Sequence, residues 1–114
     1  MSEGPRVELC RRAMVELVFL VAHQRNARGR QRRDWTLLWA LIRDGLSAGA
    51  SPEEFQDGPW QVAQRPLARP GRNGLRFIPL AVRGSTEILL TTAREAEELV
   101  GFLNWCGAPE FGSR

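Results

Sequence analysis

The stretch that decides the fold is Pro70–Gly107, PGRNGLRFIPLAVRGSTEILLTTAREAEELVGFLNWCG. Asn73-Gly74 is a strong hairpin signal, because the tight turns that join antiparallel strands need φ > 0, which Gly and Asn tolerate. Leu75–Val82 then reads as a strand. Pro79 interrupts it and, lacking an N–H, requires an edge, a bulge or an unpaired position. Gly84-Ser85 reads as a second two-residue turn into a strand over Thr86–Leu90. After it the grammar becomes helical. Thr92 and Glu95 form a capping box, Ala96, Leu99, Val100 and Leu103 recur on one face, and Gly107 and Pro109 close the helix.

On the N-terminal side, Trp60–Gln64 alternates weakly and supplies the first of three strands. Ser51–Phe55, SPEEF, reads as a single helical turn with Ser51 as its cap and Pro52 at the first helical position. Before that, Asp34 is a good N-cap for a helix with Trp35, Leu38, Trp39, Ile42 and Leu46 at i, i+3, i+4 spacing, ended by Gly45, Gly49 and Pro52. A first helix runs from Val7 to about Arg28, and Gly29 breaks it. Its polar stripe is Glu8, Arg12, Glu16 and His23, with Glu8–Arg12 and Arg12–Glu16 as i,i+4 charge pairs. The other faces are almost wholly apolar, and Val15 and Phe19 fall beside the polar stripe, so the helix is greasier than one core contact requires. A helix covered on several sides accounts for this; a self-association face is the alternative.

The expected fold is therefore α+β, in the order α–α–β–β–β–α: two N-terminal helices, a three-stranded antiparallel meander and a C-terminal helix. Residues 1–109 are expected to form one domain. Glu110–Arg114, EFGSR, matches what two common restriction sites encode and is set aside as a cloning-derived tail. The expected core is Leu9, Ala13, Leu17, Leu20, Trp35, Leu38, Trp39, Ile42, Phe77, Ile88, Leu90, Leu99, Val100 and Leu103. A chain of 114 residues with 43% hydrophobic and 25% charged residues can build such a core, which argues against a disordered or fibrous chain.

Cys10 and Cys106 do not make a disulfide framework, and both are expected to be reduced in a cytoplasmic protein, although a bridge between the two ends of the chain is geometrically allowed. Ala13–Ala22, AMVELVFLVA, follows Arg11-Arg12 as an export signal would. Glu16 interrupts it, it is short, and no small-x-small site follows, so neither export nor membrane insertion is expected.

Catalytic chemistry finds little to work with. A single histidine, His23, has no nearby acid to orient it, and a zinc site would need at least three ligands with no spacing motif behind them. Glu53-Glu54 and the group Glu95, Glu97 and Glu98 are accounted for by the positive ends of helices. No phosphate-binding glycine motif occurs. No catalytic residue, metal or cofactor is expected.

The arginines stand out. All 16 cationic residues are arginine, against 13 acids, for a net charge of +3. Codon usage in a GC-rich genome explains the absence of lysine, and a solvated loop with an ordinary edge hairpin, its charge discouraging aggregation, is the plain account of the placement; the functional account starts from the acid-free segments. No acid lies between Leu17 and Arg33, where Arg25, Arg28, Arg30, Arg32 and Arg33 fall. None lies between Gly58 and Thr86, where Arg65, Arg69, Arg72, Arg76 and Arg83 fall. A chain of small net charge can thus present a strongly positive face, which suits phosphates. The primary expectation is a small non-enzymatic nucleic-acid-binding protein, accessory or regulatory, for DNA or RNA. Its phosphate contacts would be Arg25, Arg28, Arg30, Arg32 and Arg33 from the interhelical loop and Arg69, Arg72 and Arg76 from the hairpin. Trp60, after Gly58-Pro59, is the indole expected to be exposed for stacking on a base. The layout is not a winged helix, because the place of a recognition helix is taken by the short acidic SPEEFQDG. The alternative is a protein-interaction module (adaptor, inhibitor or immunity-type) that uses Val15 and Phe19 to dimerise or to bind a partner, an acidic protein surface being the other ligand for the arginines.

Overall fold

In a computed structural model, residues 3–26, 35–68 and 74–107 are described. The elements are α1 (Glu3–Asn26), α2 (Thr36–Ala48), β1 (Gln61–Ala68), β2 (Leu75–Arg83), β3 (Thr86–Leu89) and α3 (Ala93–Cys106), the expected α+β order. The chain divides into two compact units, one formed by residues 1–50 with 106–114 and the other by Ser51–Trp105.

In the first unit, α1 buries Cys10, Ala13, Leu17 and Leu20, one stripe of the helix. Opposite-charge pairing on its polar side is Glu8 with Arg11, at 3.8 Å, and not Glu8 with Arg12. α2 buries Leu38, Leu41, Ile42 and Gly45. Asp34 lies outside the described residues. Trp35 occupies the N-cap position without a side-chain cap. Trp35 and Trp39 are only half-buried and stack on each other at 6.0 Å between centroids, instead of filling the core. Gly45 does not end the helix. Gly49 does, at φ 121, where the Gly49 and Ala50 N–H groups donate back to Leu46 O and Gly45 O, the double bond of a Schellman ending.

Cys10 and Cys106 form a disulfide with Cα atoms 5.7 Å apart, which overturns the expectation of free thiols. At a sequence separation of 96, nothing local announces the pairing. The expected cytoplasmic location drew on reduced cysteines and loses that support. Among the described residues, no helix is long and apolar enough to cross a membrane.

In the second unit, Ser51–Phe55 does make one turn, with Glu54 and Phe55 N–H donating to Ser51 O. The Ser51 hydroxyl does not cap it; it donates to the Glu53 carboxylate at 3.0 Å. The antiparallel sheet has the order β1-β2-β3. Its first ladder runs from Gln61↔Val82 to Ala68↔Leu75, so β1 is longer than expected. Gly74 has φ 94; residues 69–73 lie outside the described residues. The second ladder closes at Arg83↔Thr86 across Gly84-Ser85, with Gly84 at φ 57, as expected of a tight hairpin.

Pro79 sits in the central strand, in register opposite Gln64, and not on an edge. Its carbonyl accepts the Leu90 N–H at 2.9 Å, so its backbone faces the β3 side just beyond the last ladder pair, where a second hydrogen bond is not needed. Alternation along the strands then turns the backbone of Pro66, opposite Phe77, away from β2 toward the open edge, removing a donor that another chain could pair with. α3 begins with the expected capping box: Glu95 N–H donates to Thr92 Oγ1 at 3.1 Å, and the Glu95 carboxylate accepts from Thr91 and Thr92 N–H. From Leu99 to Trp105 every residue of α3 is buried. Leu9 is half-buried and Phe77 is exposed, so both leave the expected core; Cys10, Leu41, Trp60, Leu80, Ala81 and Phe102 enter it.

Candidate nucleic-acid interface

The hairpin β1–β2 carries the described part of the second acid-free segment. Cross-strand register sorts its side chains into two faces. On one face Arg76 stands opposite Leu67 and diagonal to Arg65; on the other Phe77 stands opposite Pro66. Arg65, Arg76, Arg83, Leu67 and Phe77 are all exposed.

These arginines are not equivalent. Arg65 is ion-paired to Glu87 of β3. Arg76 and Arg83 have no carboxylate partner among the described residues. Arg94 of α3, by contrast, is matched locally: it reaches Glu98 at 3.1 Å, Glu97 at 3.5 Å and Glu53 at 3.7 Å. That cluster takes up Glu53, Glu97 and Glu98, while Glu95 serves the capping box. Glu53 is held below the ordinary glutamate value first by a backbone hydrogen bond and then by the Ser51 hydroxyl, with Arg94 contributing. These acids serve an ion-pair network at the start of α3. Among the described residues, no group of three or more His, Cys, Asp and Glu could hold a metal ion.

Of the expected contacts, Arg76 is exposed on the hairpin, and Arg25 falls in the last turn of α1. Arg28, Arg30, Arg32, Arg33, Arg69 and Arg72 lie outside the described residues. Trp60 is a correction. It is only 6% exposed, and its backbone is tied to Asn104 through both N–H and C=O, so it offers no face to a base. Gly58-Pro59 suggested exposure; a distant asparagine decides otherwise. On the hairpin the exposed aromatic is Phe77, at 53%. The usable signal in the sequence was Arg76 immediately before it.

The alternative site, Val15 and Phe19, is exposed at 52% and 50%, together with Met14 and Val18, which the sequence did not single out. α1 is therefore not covered on several sides.

No protein family matches the chain, and neither the curated proteins nor the solved structures compared with it give a match.

Proposed function

We propose that this protein is a non-enzymatic nucleic-acid-binding protein, accessory or regulatory, whose β1–β2 hairpin contacts phosphates. The observation that carries the reading is that Arg76 and Arg83 stand exposed without a carboxylate partner among the described residues, on the hairpin that also exposes Phe77. Arginines neutralised by the chain's own acids, as Arg94 is, have little to offer a phosphate; unneutralised ones release counterions when they bind it. Phe77 adds a ring on which a base can stack.

The test is fluorescence anisotropy of nuclease-treated protein against short single- and double-stranded DNA and RNA at about 50 and about 200 mM salt. Affinity should fall steeply with salt. Arg76→Glu with Arg83→Glu should weaken binding to every probe and flatten the salt dependence. Phe77→Ala should weaken single-stranded probes by about tenfold and duplexes less. Absence of binding at the lower salt, or binding untouched by both arginine reversals, refutes the reading.

A second reading, a protein-interaction module acting through α1, is favoured by the four exposed apolar side chains Met14, Val15, Val18 and Phe19.

A further inference from the structure

Past the end of β3 the hairpin becomes a two-stranded ribbon. β3 pairs with β2 only at Leu80–Arg83, whereas the β1 ladder continues to Ala68↔Leu75. Arg65–Ala68 and Leu75–Ile78 therefore have no third strand beside them among the described residues. Both faces of this ribbon meet solvent: Arg65, Leu67 and Arg76 stand exposed on one, Pro66 and Phe77 on the other. Leu67 is 49% and Phe77 53% exposed, so the core consumes neither face.

We infer that this ribbon enters the major groove of double-stranded B-form DNA, with Leu67 and Arg76 toward the base edges. The inference rests on the nucleic-acid reading above and names its substrate. Width selects the duplex. Paired strands lie about 4.8 Å apart, and with side chains the ribbon is about 10 Å across, which a groove about 12 Å wide admits. The deep, narrow major groove of double-stranded RNA does not admit it. Charge selects the face. Both arginines of the ribbon, Arg65 and Arg76, share the side of Leu67, and Pro66 and Phe77 on the other side are uncharged. Arg65 is held by Glu87, which leaves Arg76 as the cation without a carboxylate partner among the described residues. The edge argues against an acidic peptide: Pro66 gives the open side of β1 no N–H, which interrupts the pairing by which a peptide adds as a further strand.

In this pose Arg76 can donate to guanine O6 and N7, and Leu67, directly across from it, lies against thymine methyl groups. Phe77 points away from the groove floor, and Arg83, at the other end of β2, is outside the ribbon.

The experiment is fluorescence anisotropy of nuclease-treated protein at about 50 mM salt, with duplex DNA, duplex RNA and single strands of one sequence. Duplex DNA should bind at least about tenfold tighter than duplex RNA. Leu67→Glu and, separately, Arg76→Gln should each weaken duplex DNA by at least about fivefold, with far-ultraviolet spectrum and melting curve unchanged because both positions are exposed. Phe77→Ala should change duplex DNA binding by less than about twofold, because its ring lies on the other face. Methyl green, which occupies the major groove, should displace the protein; netropsin, which occupies the minor groove, should not. Nucleic-acid binding without preference for duplex DNA, or displaced by netropsin and not by methyl green, overturns this inference and leaves the nucleic-acid reading standing. Duplex binding indifferent to Leu67→Glu and Arg76→Gln overturns it too. Poly-glutamate that competes as well as the DNA duplex places an acidic protein surface on the ribbon and refutes it. Absence of binding to every nucleic-acid probe refutes the underlying reading and this inference with it.

Discussion

Asn104 ties together the interior of the second unit. It is 5% exposed, yet polar. Its Oδ1 accepts the Trp60 N–H at 3.0 Å, and its Nδ2 donates to Phe55 O at 2.8 Å and to Trp60 O at 3.1 Å. Gly58 makes room for it: a Cβ there would lie 2.6 Å from Asn104 Cγ and Oδ1 and 3.1 Å from Nδ2. An asparagine amide is ordinarily free to swing aside. This one cannot do so without breaking its hydrogen bonds. Asn104→Ala strands one buried donor and two carbonyls, and at about 1–3 kcal/mol for each group left unsatisfied, tempered by relaxation, the loss is about 3 kcal/mol. Gly58→Ala displaces the same amide and should cost about 2–3 kcal/mol in the native chain. In an Asn104→Ala background the obstructing atoms are gone, and Gly58→Ala should cost under about 0.5 kcal/mol. The expected coupling is therefore about 2 kcal/mol. Urea unfolding of the four proteins, followed by tryptophan fluorescence and far-ultraviolet circular dichroism, measures it. Costs that add within about 0.5 kcal/mol would refute the claim that Gly58 is glycine because of Asn104.

Three further outcomes follow from the geometry. The Cys10–Cys106 bridge spans 96 residues, so in the chain-entropy account its reduction should lower stability by about 4–5 kcal/mol; an unchanged urea midpoint with and without reductant would contradict the pairing. Gly101→Ala places a Cβ 2.7 Å from the Pro52 Cα, a backbone atom that cannot yield, and should cost at least about 2 kcal/mol by thermal melting, whereas Gly4→Ala in α1 meets nothing within 4 Å and should be neutral or stabilising. Because the Glu53 carboxylate is held below its ordinary value, it favours the folded state above that value and loses this contribution as the pH falls through its folded titration; carboxyl-resolved NMR should show a depressed midpoint that rises in Ser51→Ala, and no rise would dismiss the hydroxyl's share.

What could be read from the sequence was local. Thr92 and Glu95 satisfy each other's backbone within one turn, and Gly84 supplies a positive φ at a two-residue reversal, so both features are specified by neighbours in the chain. What could not be read was set at long range. Asparagine in a helix usually faces water, and only the distant Phe55 and Trp60 carbonyls make Asn104 an interior residue. Trp60 follows it inward for the same reason. The missing donor of Pro79 requires an edge, a bulge or an unpaired position; the strand is central and the last of these applies, because the donor is missing where β3 has already ended, a boundary that the sequence of β2 alone does not show.

The candidate surfaces were half-legible for a related reason. Periodicity says which side of an element a residue occupies; it does not say how far the cover over that side extends. Phe77 and Ala81 share one face of β2, yet Ala81 is fully buried while Phe77 is 53% exposed. On α1 the difficulty is greater, because a helix apolar on most faces has no pattern that singles out the one facing inward. Burial of Cys10, Ala13, Leu17 and Leu20 makes that choice and leaves Met14, Val15 and Val18 as exposed hydrophobic surface. Charge divides the two surfaces. Phe77 follows an arginine without a carboxylate partner among the described residues, in a segment without acids, which suits a polyanion; the exposed α1 side chains Met14, Val15 and Val18 are uncharged, which suits an apolar surface.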